Sequence, residues 1–345
     1  MSERLRLACL AVFVLPFLMG QSCNSLPVIR ILTPQPGLDV TYEPLLLEVD
    51  LWRFAKVGTF EVLLNGVDIT SEFELEIVGP RRLATAMDVW GEGVVHEGSN
   101  DLVVRIGGWE ASRTFEAIGD PHADDVWSFL PGTGAGYGQS ELPDVVTGAP
   151  QGLGLFLGGL DVLSLGNGGA VELEFGDNVI LDGPGVDFTV FENPFLTSVL
   201  GIVAGSFSEP GRVSVSQDGV TWFVFDACAV APLDPPLYPG CAGVFPTLSD
   251  ALDPSTEHPS IPTETPIAEL IGTPQSELVW PAGSGGDSFD LGDVGLTWAR
   301  FVRVEDVGPA LGQAGTIGFD LDGVTAVNSG VTTDDNGNGV PDAAE

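Results

Sequence analysis

The feature that most constrains the fold is a succession of short apolar runs, each ended by turn-forming residues. Residues 171–175 and 187–191 alternate apolar and polar side chains, as strands with one buried face do. Asn65-Gly66 lies between two such runs and predicts a two-residue hairpin turn. The chain has 46 glycines and 26 prolines, so turns are frequent and long helices are not expected. The sequence therefore predicts an all-β protein.

The charge of the chain is strongly negative. It has 49 acidic residues against 12 lysines and arginines, a net charge of −37, and Lys56 is its only lysine. Such a field repels phosphate backbones and anionic lipid, so we expect neither nucleic acid nor a bare membrane surface as a partner. Glycans, surface proteins and divalent cations remain open as partners. The alternative is that the acidity only keeps the protein soluble.

The N-terminus indicates export from a bacterial-type cytoplasm. Arg4 and Arg6 precede an apolar stretch at 7–20, whose 14 residues are too few to span about 30 Å of hydrocarbon. We interpret residues 1–22 as a signal peptide. Cleavage is predicted either after Gly20 or before Cys23, in a sequence that resembles a bacterial lipobox.

The four cysteines fit an exported chain. One leaves with the signal peptide, and Cys228 and Cys241 are close enough in sequence to form a disulfide in an oxidising compartment. Cys23 then has no partner, and lipidation would account for it; a free or intermolecular thiol is the alternative. The expected location is the bacterial outer surface, lipid-anchored, or the medium.

Residues 26–117 are predicted to form an immunoglobulin-like β-sandwich. About seven short strands with regular turns fit within some ninety residues, including strands at 45–51, 60–64 and 102–106. The pattern resembles the immunoglobulin-like modules of bacterial surface proteins. It lacks the internal cysteine pair of antibody domains, so the resemblance implies the architecture alone.

Residues 119–328 are predicted to form a larger β domain. Residues 213–222 read as strand, Asp-Gly turn and strand, and residues 299–304 read as a late strand. Both segments resemble discoidin-like (coagulation-factor type C, galactose-binding-like) domains. The segments 182–188, 190–193 and 318–322 resemble bacterial cell-surface proteins built on such a domain. The resemblance implies a jelly-roll sandwich, and residues 231–288, rich in proline and glycine, are interpreted as long surface loops.

Residues 329–345 carry the strongest site signal. Oxygen-bearing residues fall at loop positions one, three, five, nine and twelve of an EF-hand-type calcium loop, and Gly339 takes the position of the sharp turn. No helical pattern precedes the loop, so it looks more like a thrombospondin type 3 or dockerin repeat. A disordered acidic tail is the alternative. The predicted Ca²⁺ ligands are Asp334, Asn336, Asn338, the Val340 carbonyl, Asp342 and Glu345.

A second metal site is predicted within the large domain. Its candidate ligands lie on or beside strand ends in the segments that carry the family resemblance: Asp187, Glu192, Asp320 and Asp322. The alternative for each is a carboxylate on a solvated strand face or turn.

Carbohydrate recognition would use aromatic side chains in the loops of the large domain, and packing within the protein is the alternative role for them. The candidates are Tyr137, Phe195, Tyr238 and Trp280, whereas Trp222 and Trp298 are expected on strands and in the core. The histidines His96, His122 and His258 form no metal-binding pair, and no catalytic residue is predicted. The sequence favours a calcium-dependent, non-catalytic adhesion protein. A structural envelope protein and a carbohydrate-active hydrolase with an unrecognised carboxylate pair are the alternatives.

Overall fold

The computed structural model describes residues 27–35, 40–41, 45–86, 89, 94–95, 98–118, 120–229, 238–253, 255–307, 318–332, 334 and 337–345. Within them the regular secondary structure consists mainly of β-strands, which confirms the all-β class. The only described α-helix is the single turn Ile267–Leu270. The described 3₁₀ turns are Val57–Thr59, Thr70–Glu72, Gln139–Glu141, Asp226–Ala229, Leu291–Val294 and Asp342–Ala344. No described helix has the length and apolarity needed to cross a membrane.

Nine strands form what we call the N-terminal sandwich. One sheet has the order β1-β3-β7-β6, and the other has the order β2-β9-β8-β4-β5. Neighbouring strands are antiparallel except β2 and β9, which are parallel. The strands are β1 (Ile29–Thr33), β2 (Val40–Thr41), β3 (Leu47–Trp52), β4 (Glu61–Leu64), β5 (Val67–Asp68), β6 (Glu74–Val78), β7 (Arg81–Ala86), β8 (Gly98–Ile106) and β9 (Trp109–Ile118).

Alternation along these strands builds one core between the two sheets. Leu47, Val49 and Leu51 of β3 face inward, and they pack in the same cluster as Leu102 and Val104 of β8. The predicted hairpin at Asn65-Gly66 is confirmed: both residues have positive φ, 51° and 89°, and β4 pairs with β5 across them. A positive φ at both central residues is what the tight type I′ turn requires.

Fourteen further strands form the large sandwich and the small sheets attached to it. The sheet orders are β10-β12-β21-β17-β18, β11-β22-β14-β19, β20-β13-β23 and β15-β16. The strands are β10 (Asp125–Leu130), β11 (Leu163–Ser164), β12 (Ala170–Glu174), β13 (Asn178–Leu181), β14 (Phe188–Glu192), β15 (Phe195–Val199), β16 (Ile202–Phe207), β17 (Gly211–Ser216), β18 (Phe223–Val224), β19 (Asp287–Phe289), β20 (Trp298–Ala299), β21 (Phe301–Asp306), β22 (Asp320–Ala326) and β23 (Ser329–Val331).

The five-stranded and four-stranded sheets enclose the main core of the large sandwich. Val213 and Val302 enter it from the five-stranded sheet, and Phe188, Val190 and Val324 enter it from the four-stranded sheet. Every residue of β14 is buried, because the four-stranded sheet is covered on its second side as well. This double burial matters for the polar residues at the ends of β14 and β22.

Two parts of the irregular segment 238–286, residues 241–249 and 283–286, are buried, in contrast to the surface loops expected from the composition, whereas many described residues of 252–282 are exposed as expected. Val244, Phe245 and Leu248 join a second apolar cluster together with Ile267 and the Cys228–Cys241 disulfide, which is present as predicted. Proline and glycine exclude regular strands here, but the apolar side chains between them still have to be buried. The segment therefore covers part of the large sandwich, and we call residues 238–286 the irregular lining.

The outer face of the five-stranded sheet carries a ladder of ion pairs. Arg212 pairs with Glu305 at 3.0 Å and Arg300 with Glu174 at 2.9 Å, and Arg303 pairs with Glu172 on the neighbouring strand. The Trp222 ring lies under the Arg303 guanidinium at 4.0 Å. Trp222 follows the Asp218 turn and is only half-buried, so its expected place on a core strand is wrong. Trp298, by contrast, lies on β20 and is buried.

Candidate functional site

The predicted calcium tail is attached to the large sandwich. β23 pairs antiparallel with β13, with Val179 opposite Gly330. Thr332 extends the contact by donating from its backbone N–H to the Asp177 carbonyl at 3.3 Å. The loop that follows is therefore held beside Trp298 and Arg300, with which it lines a cavity of about 240 Å³.

Within the tail, the Asp334 carboxylate organises the turn. It accepts backbone N–H bonds from Gly337 and Asn338 through Oδ1, at 2.7 and 3.1 Å, and from Gly339 through Oδ2 at 2.7 Å. Asn338 Nδ2 donates to Glu345 Oε1 at 2.6 Å, so the side chains at loop positions five and twelve meet. Ligands of this kind, all oxygen, suit calcium.

The remaining predicted tail ligands are not linked to the Asp334 carboxylate by a hydrogen bond among the described residues. Val340 donates its N–H to Asn338 Oδ1 at 2.7 Å, and Asp342 begins the last 3₁₀ turn. Asn336 lies outside the described residues. Two groups of three carboxylates have oxygens within 4.8 Å of one another among the described residues, and neither group includes the tail.

Glu192 and Asp320, predicted as ligands of a second metal, do come together. Glu192 ends β14 and Asp320 begins β22, which is its neighbour in the four-stranded sheet. Glu209, from the loop before β17, completes a group whose ligand oxygens all lie within 4.8 Å of one another. We call these three residues the Glu192 cluster. Glu209 carries no local sequence signal, since it lies in a short loop between a serine and a proline.

Two members of the Glu192 cluster are buried, Asp320 is partly buried, and the three negative charges repel one another. Glu192 is 1% exposed and Glu209 is 6% exposed. Burial, and next the charges of Asp320 and Glu209, raise the pKa of Glu192 well above its usual range. Burial also raises the pKa of Asp320. Nearby Asp287, which accepts backbone bonds from Val244 and Phe245, has its pKa raised to about 7 by burial.

Asp187 belongs to a different group, with Asp182 and Asp290. Its carboxylate accepts from the Gly183 N–H and Asn328 Nδ2 through Oδ1, at 2.7 and 2.9 Å, and from the Leu291 N–H through Oδ2 at 2.7 Å. Both oxygens are thus satisfied by protein donors. Asp187 ties three chain segments together. It does not share a site with Glu192, although the sequence predicted that it would.

Asp322 is also separated from Asp320, although the two residues are close in sequence. The β14–β22 register passes from Phe191 opposite Gly323 to Glu192 opposite Leu321, so Asp322 is the extra residue of a β-bulge. Its carboxylate accepts the Gln151 N–H at 3.1 Å, and burial raises its pKa well above the usual range. The single four-residue site expected from the sequence is therefore wrong, because its members lie in three environments.

The four candidate aromatic residues occupy different surroundings. The Tyr137 side chain is 56% exposed, and its hydroxyl donates to the Leu160 carbonyl at 2.8 Å. Trp280 is exposed and passes over Gly154, where a Cβ would lie 2.7 Å from the indole ring. Phe195 is half-buried and stacks on Phe207 at 5.2 Å. Tyr238 is 3% exposed inside the second apolar cluster, so its expected role as a surface contact is wrong.

Tyr137 stands beside a cavity of about 450 Å³. The polar lining consists of Ser140, Glu141 and Asp161, and Leu160 and Val162 supply apolar walls. The cavity lies in the large sandwich, just before β11. It offers an aromatic face, hydroxyls and carboxylates within one concave surface.

Several predicted features fall outside the described residues, namely the signal peptide at 1–22, the lipidation candidate Cys23 and His96. His122 and His258 are described and buried, and neither belongs to the two carboxylate groups. Burial lowers the pKa of each to about 3. His122 Nδ1 lies 2.8 Å from Thr325 Oγ1.

Comparisons with known proteins assign no family. No family model matches the chain, and no curated protein matches it. Among solved structures, a chimeric titin Z1Z2-Z1Z2 tandem functionalized with a GRGDS peptide from fibronectin is 13% identical, with 55% of this chain and 78% of that chain covered and a TM-score of 0.18. Domains 4–9 of the surface layer protein SbsC are 14% identical, with 51% and 26% covered and a TM-score of 0.17.

Proposed function

We propose that this protein is an exported, non-catalytic binding protein of the cell surface that recognises carbohydrate at the Tyr137 cavity and takes up calcium in its C-terminal loop. The observation that carries the proposal is the exposed Tyr137 ring at a polar cavity of about 450 Å³. An aromatic face packs on the C–H face of a sugar ring, and carboxylates and hydroxyls bond to its hydroxyl groups.

The disulfide supports export, and the net charge bears on the class of ligand. Cys228 and Cys241 form a disulfide, which persists in oxidising compartments. The net charge of −37 leaves neutral ligands favoured over nucleic acid. The predicted discoidin-like architecture remains part of the proposal, as does lipid attachment at Cys23.

The calcium part of the proposal depends on the tail loop. Asp334, Asn338 and Glu345 already surround one turn of backbone, and the Val340 carbonyl and Asp342 add oxygen donors. A single unpaired loop is expected to bind calcium weakly, with a Kd of about 10⁻⁴–10⁻³ M, as extracellular modules do. Calcium there would neutralise the tail and fix it against the large sandwich.

The test is a glycan array with the mature chain, run in calcium and in chelator. We expect specific glycan binding that Tyr137→Ala weakens about 5- to 30-fold, because one stacked aromatic face is worth about 1–2 kcal/mol. Tyr137→Phe keeps the ring and should keep most of the binding. Trp109→Ala, an exposed aromatic at a cavity of the N-terminal sandwich, serves as the control. A blank array in both buffers would contradict carbohydrate binding and favour the structural envelope protein.

A further inference from the structure

The large sandwich brings three carboxylates together, and two of them, Glu192 and Asp320, each have a buried oxygen that accepts no hydrogen bond from the described residues. We propose that Glu192, Glu209 and Asp320 bind one calcium ion, which joins β14, β22 and the loop before β17. This site is separate from the C-terminal loop and from the Tyr137 cavity. The proposal does not depend on the proposed function, since it concerns how the sandwich is held together.

The first support is geometric. One oxygen from each of the three residues lies within 4.8 Å of the others. Oxygens that bind one calcium ion at 2.3–2.6 Å lie no more than about 5 Å apart, so this upper limit is compatible with a shared ion. Glu192 and Glu209 are separated by the β15–β16 hairpin and Asp320 lies far along the chain, so the fold and not a local motif brings the three side chains together.

The second support is the unsatisfied oxygens. Glu192 Oε2 and Asp320 Oδ1 are buried and accept no hydrogen bond from any described residue. Glu192 Oε1 accepts only a long bond of 3.3 Å from the Asp320 N–H. An oxygen of this kind, in a side chain that is 1% exposed, costs free energy unless a partner is supplied. Asp187, with the same chemistry, has three protein donors and needs no ion.

The third support is the absence of a neutralising side chain. From residue 120 to the end of the sequence there are only three basic residues other than histidine, namely Arg212, Arg300 and Arg303. Each of them pairs with a glutamate on the outer face of the five-stranded sheet. No lysine or arginine of this part of the chain is therefore left to balance the Glu192 cluster.

The donor set selects the metal. The cluster offers carboxylate oxygens and neither histidine nor cysteine, which disfavours zinc and copper. Magnesium binds at 2.0–2.1 Å, retains several waters and is seldom held by an all-protein cage. Calcium accepts six to eight oxygens in flexible geometry, and bidentate carboxylates can supply them. Hence the cluster fits calcium best.

The experiment uses the mature chain carrying Asp334→Ala, which removes the first ligand of the tail loop. After chelation and dialysis, bound calcium is counted by equilibrium dialysis and the melting temperature is measured with and without calcium. We expect one ion per chain and a calcium-dependent rise in Tm. Adding Glu192→Gln together with Asp320→Asn should abolish both, with affinity reduced at least about 100-fold, since two of three charged ligands are lost.

The same variants separate a metal site from carboxylates with a purely structural role. In chelator at pH 8, the Glu192→Gln, Asp320→Asn chain should melt higher than its parent, because uncompensated buried charge has been removed. Glu192→Gln alone should show the same trend if the double variant folds poorly. Glu277→Gln removes one exposed charge from the same part of the chain and should change neither the ion count nor the Tm response.

Two results would overturn the proposal. No retained calcium in the Asp334→Ala chain would show that the three acids are balanced by protons. An equal rise in Tm with magnesium would remove the assignment to calcium. Loss of glycan binding in the separate array experiment would leave both measurements unaffected, so the two proposals fail independently.

Discussion

Asp187 and Glu192, at either end of one short stretch of chain, show how the surroundings of a carboxylate decide its role. Asp187 receives two backbone N–H groups and one amide side chain, so its charge is dispersed within the protein. Glu192 receives one long bond and faces two other acids. Both side chains are carboxylates, so the difference between their roles comes from the hydrogen-bond donors that the fold brings near.

His122 gives a prediction at the same scale. Burial lowers its folded-state pKa to about 3, while an unfolded histidine titrates near 6.5. Below pH 6.5 the unfolded chain takes up the proton first, so the stability that neutral His122 contributes is lost as the pH falls from 6.5 toward 3. His122→Gln should therefore lose about 2 kcal/mol less unfolding free energy between pH 7 and pH 5 than wild type.

The measurement is urea denaturation at the two pH values for wild type and variant. Asp287 works in the opposite direction, because its raised pKa of about 7 favours the folded state at lower pH, and it cancels in the comparison. His258→Gln should reproduce the effect, since burial lowers the pKa of His258 to about 3 as well. Identical pH dependence in wild type and His122→Gln would contradict the prediction.

At the scale of elements, local signals predicted structure well where the structure is local. The Asn65-Gly66 turn needs only two residues with positive φ, and it forms as expected. Residues 213–216 and 301–304 alternate and lie on β17 and β21. The bulge at Asp322 has no such signal, because it depends on how β22 pairs with β14.

Only part of the Glu192 cluster could be predicted from the sequence, because the rest depends on tertiary contacts and not on a local signal. Glu192 and Asp320 mark strand ends and were expected to be ligands, whereas Glu209 joins them solely through tertiary packing. Tyr238 was predicted to be a ligand contact because it lies in a proline-rich loop segment. It is instead buried in the same apolar cluster as the disulfide. Composition predicts irregular backbone but does not predict on which side of it the core lies.

The disulfide provides a prediction for the irregular lining. Cys228 and Cys241 are separated by 13 residues and are buried in the second apolar cluster. Cys228→Ala with Cys241→Ala should lower the free energy of unfolding by about 3 kcal/mol or somewhat less, because the unfolded chain regains loop entropy that its prolines already limit. Urea denaturation measures the change. Dithiothreitol should lower the free energy of unfolding of wild type to that of the variant and leave the variant unchanged. A reduced wild type with the same free energy of unfolding as the oxidised protein would contradict the prediction.

At the scale of the whole molecule, the net charge of −37 makes self-repulsion a general term. Raising monovalent salt from 10 to 300 mM shortens the screening length from about 30 Å to less than 10 Å. In chelator, the melting temperature should therefore rise by about 3 °C or more. Sodium chloride and choline chloride should act equally, because screening does not depend on which cation provides it. A fall in Tm, or an effect of sodium alone, would contradict the prediction.

The pairing of β23 with β13 has a consequence for how copies of the molecule behave toward each other. β13 lies in the middle of its small sheet because β23 covers one side of it, opposite Asn178, Val179 and Ile180. Without that cover, the strand would present a row of open backbone groups onto which a strand of another chain can add. We therefore expect that proteolytic removal of the residues from Ser329 onward would open β13 to pairing with a strand of another chain, and light scattering of the trimmed protein would measure the resulting association.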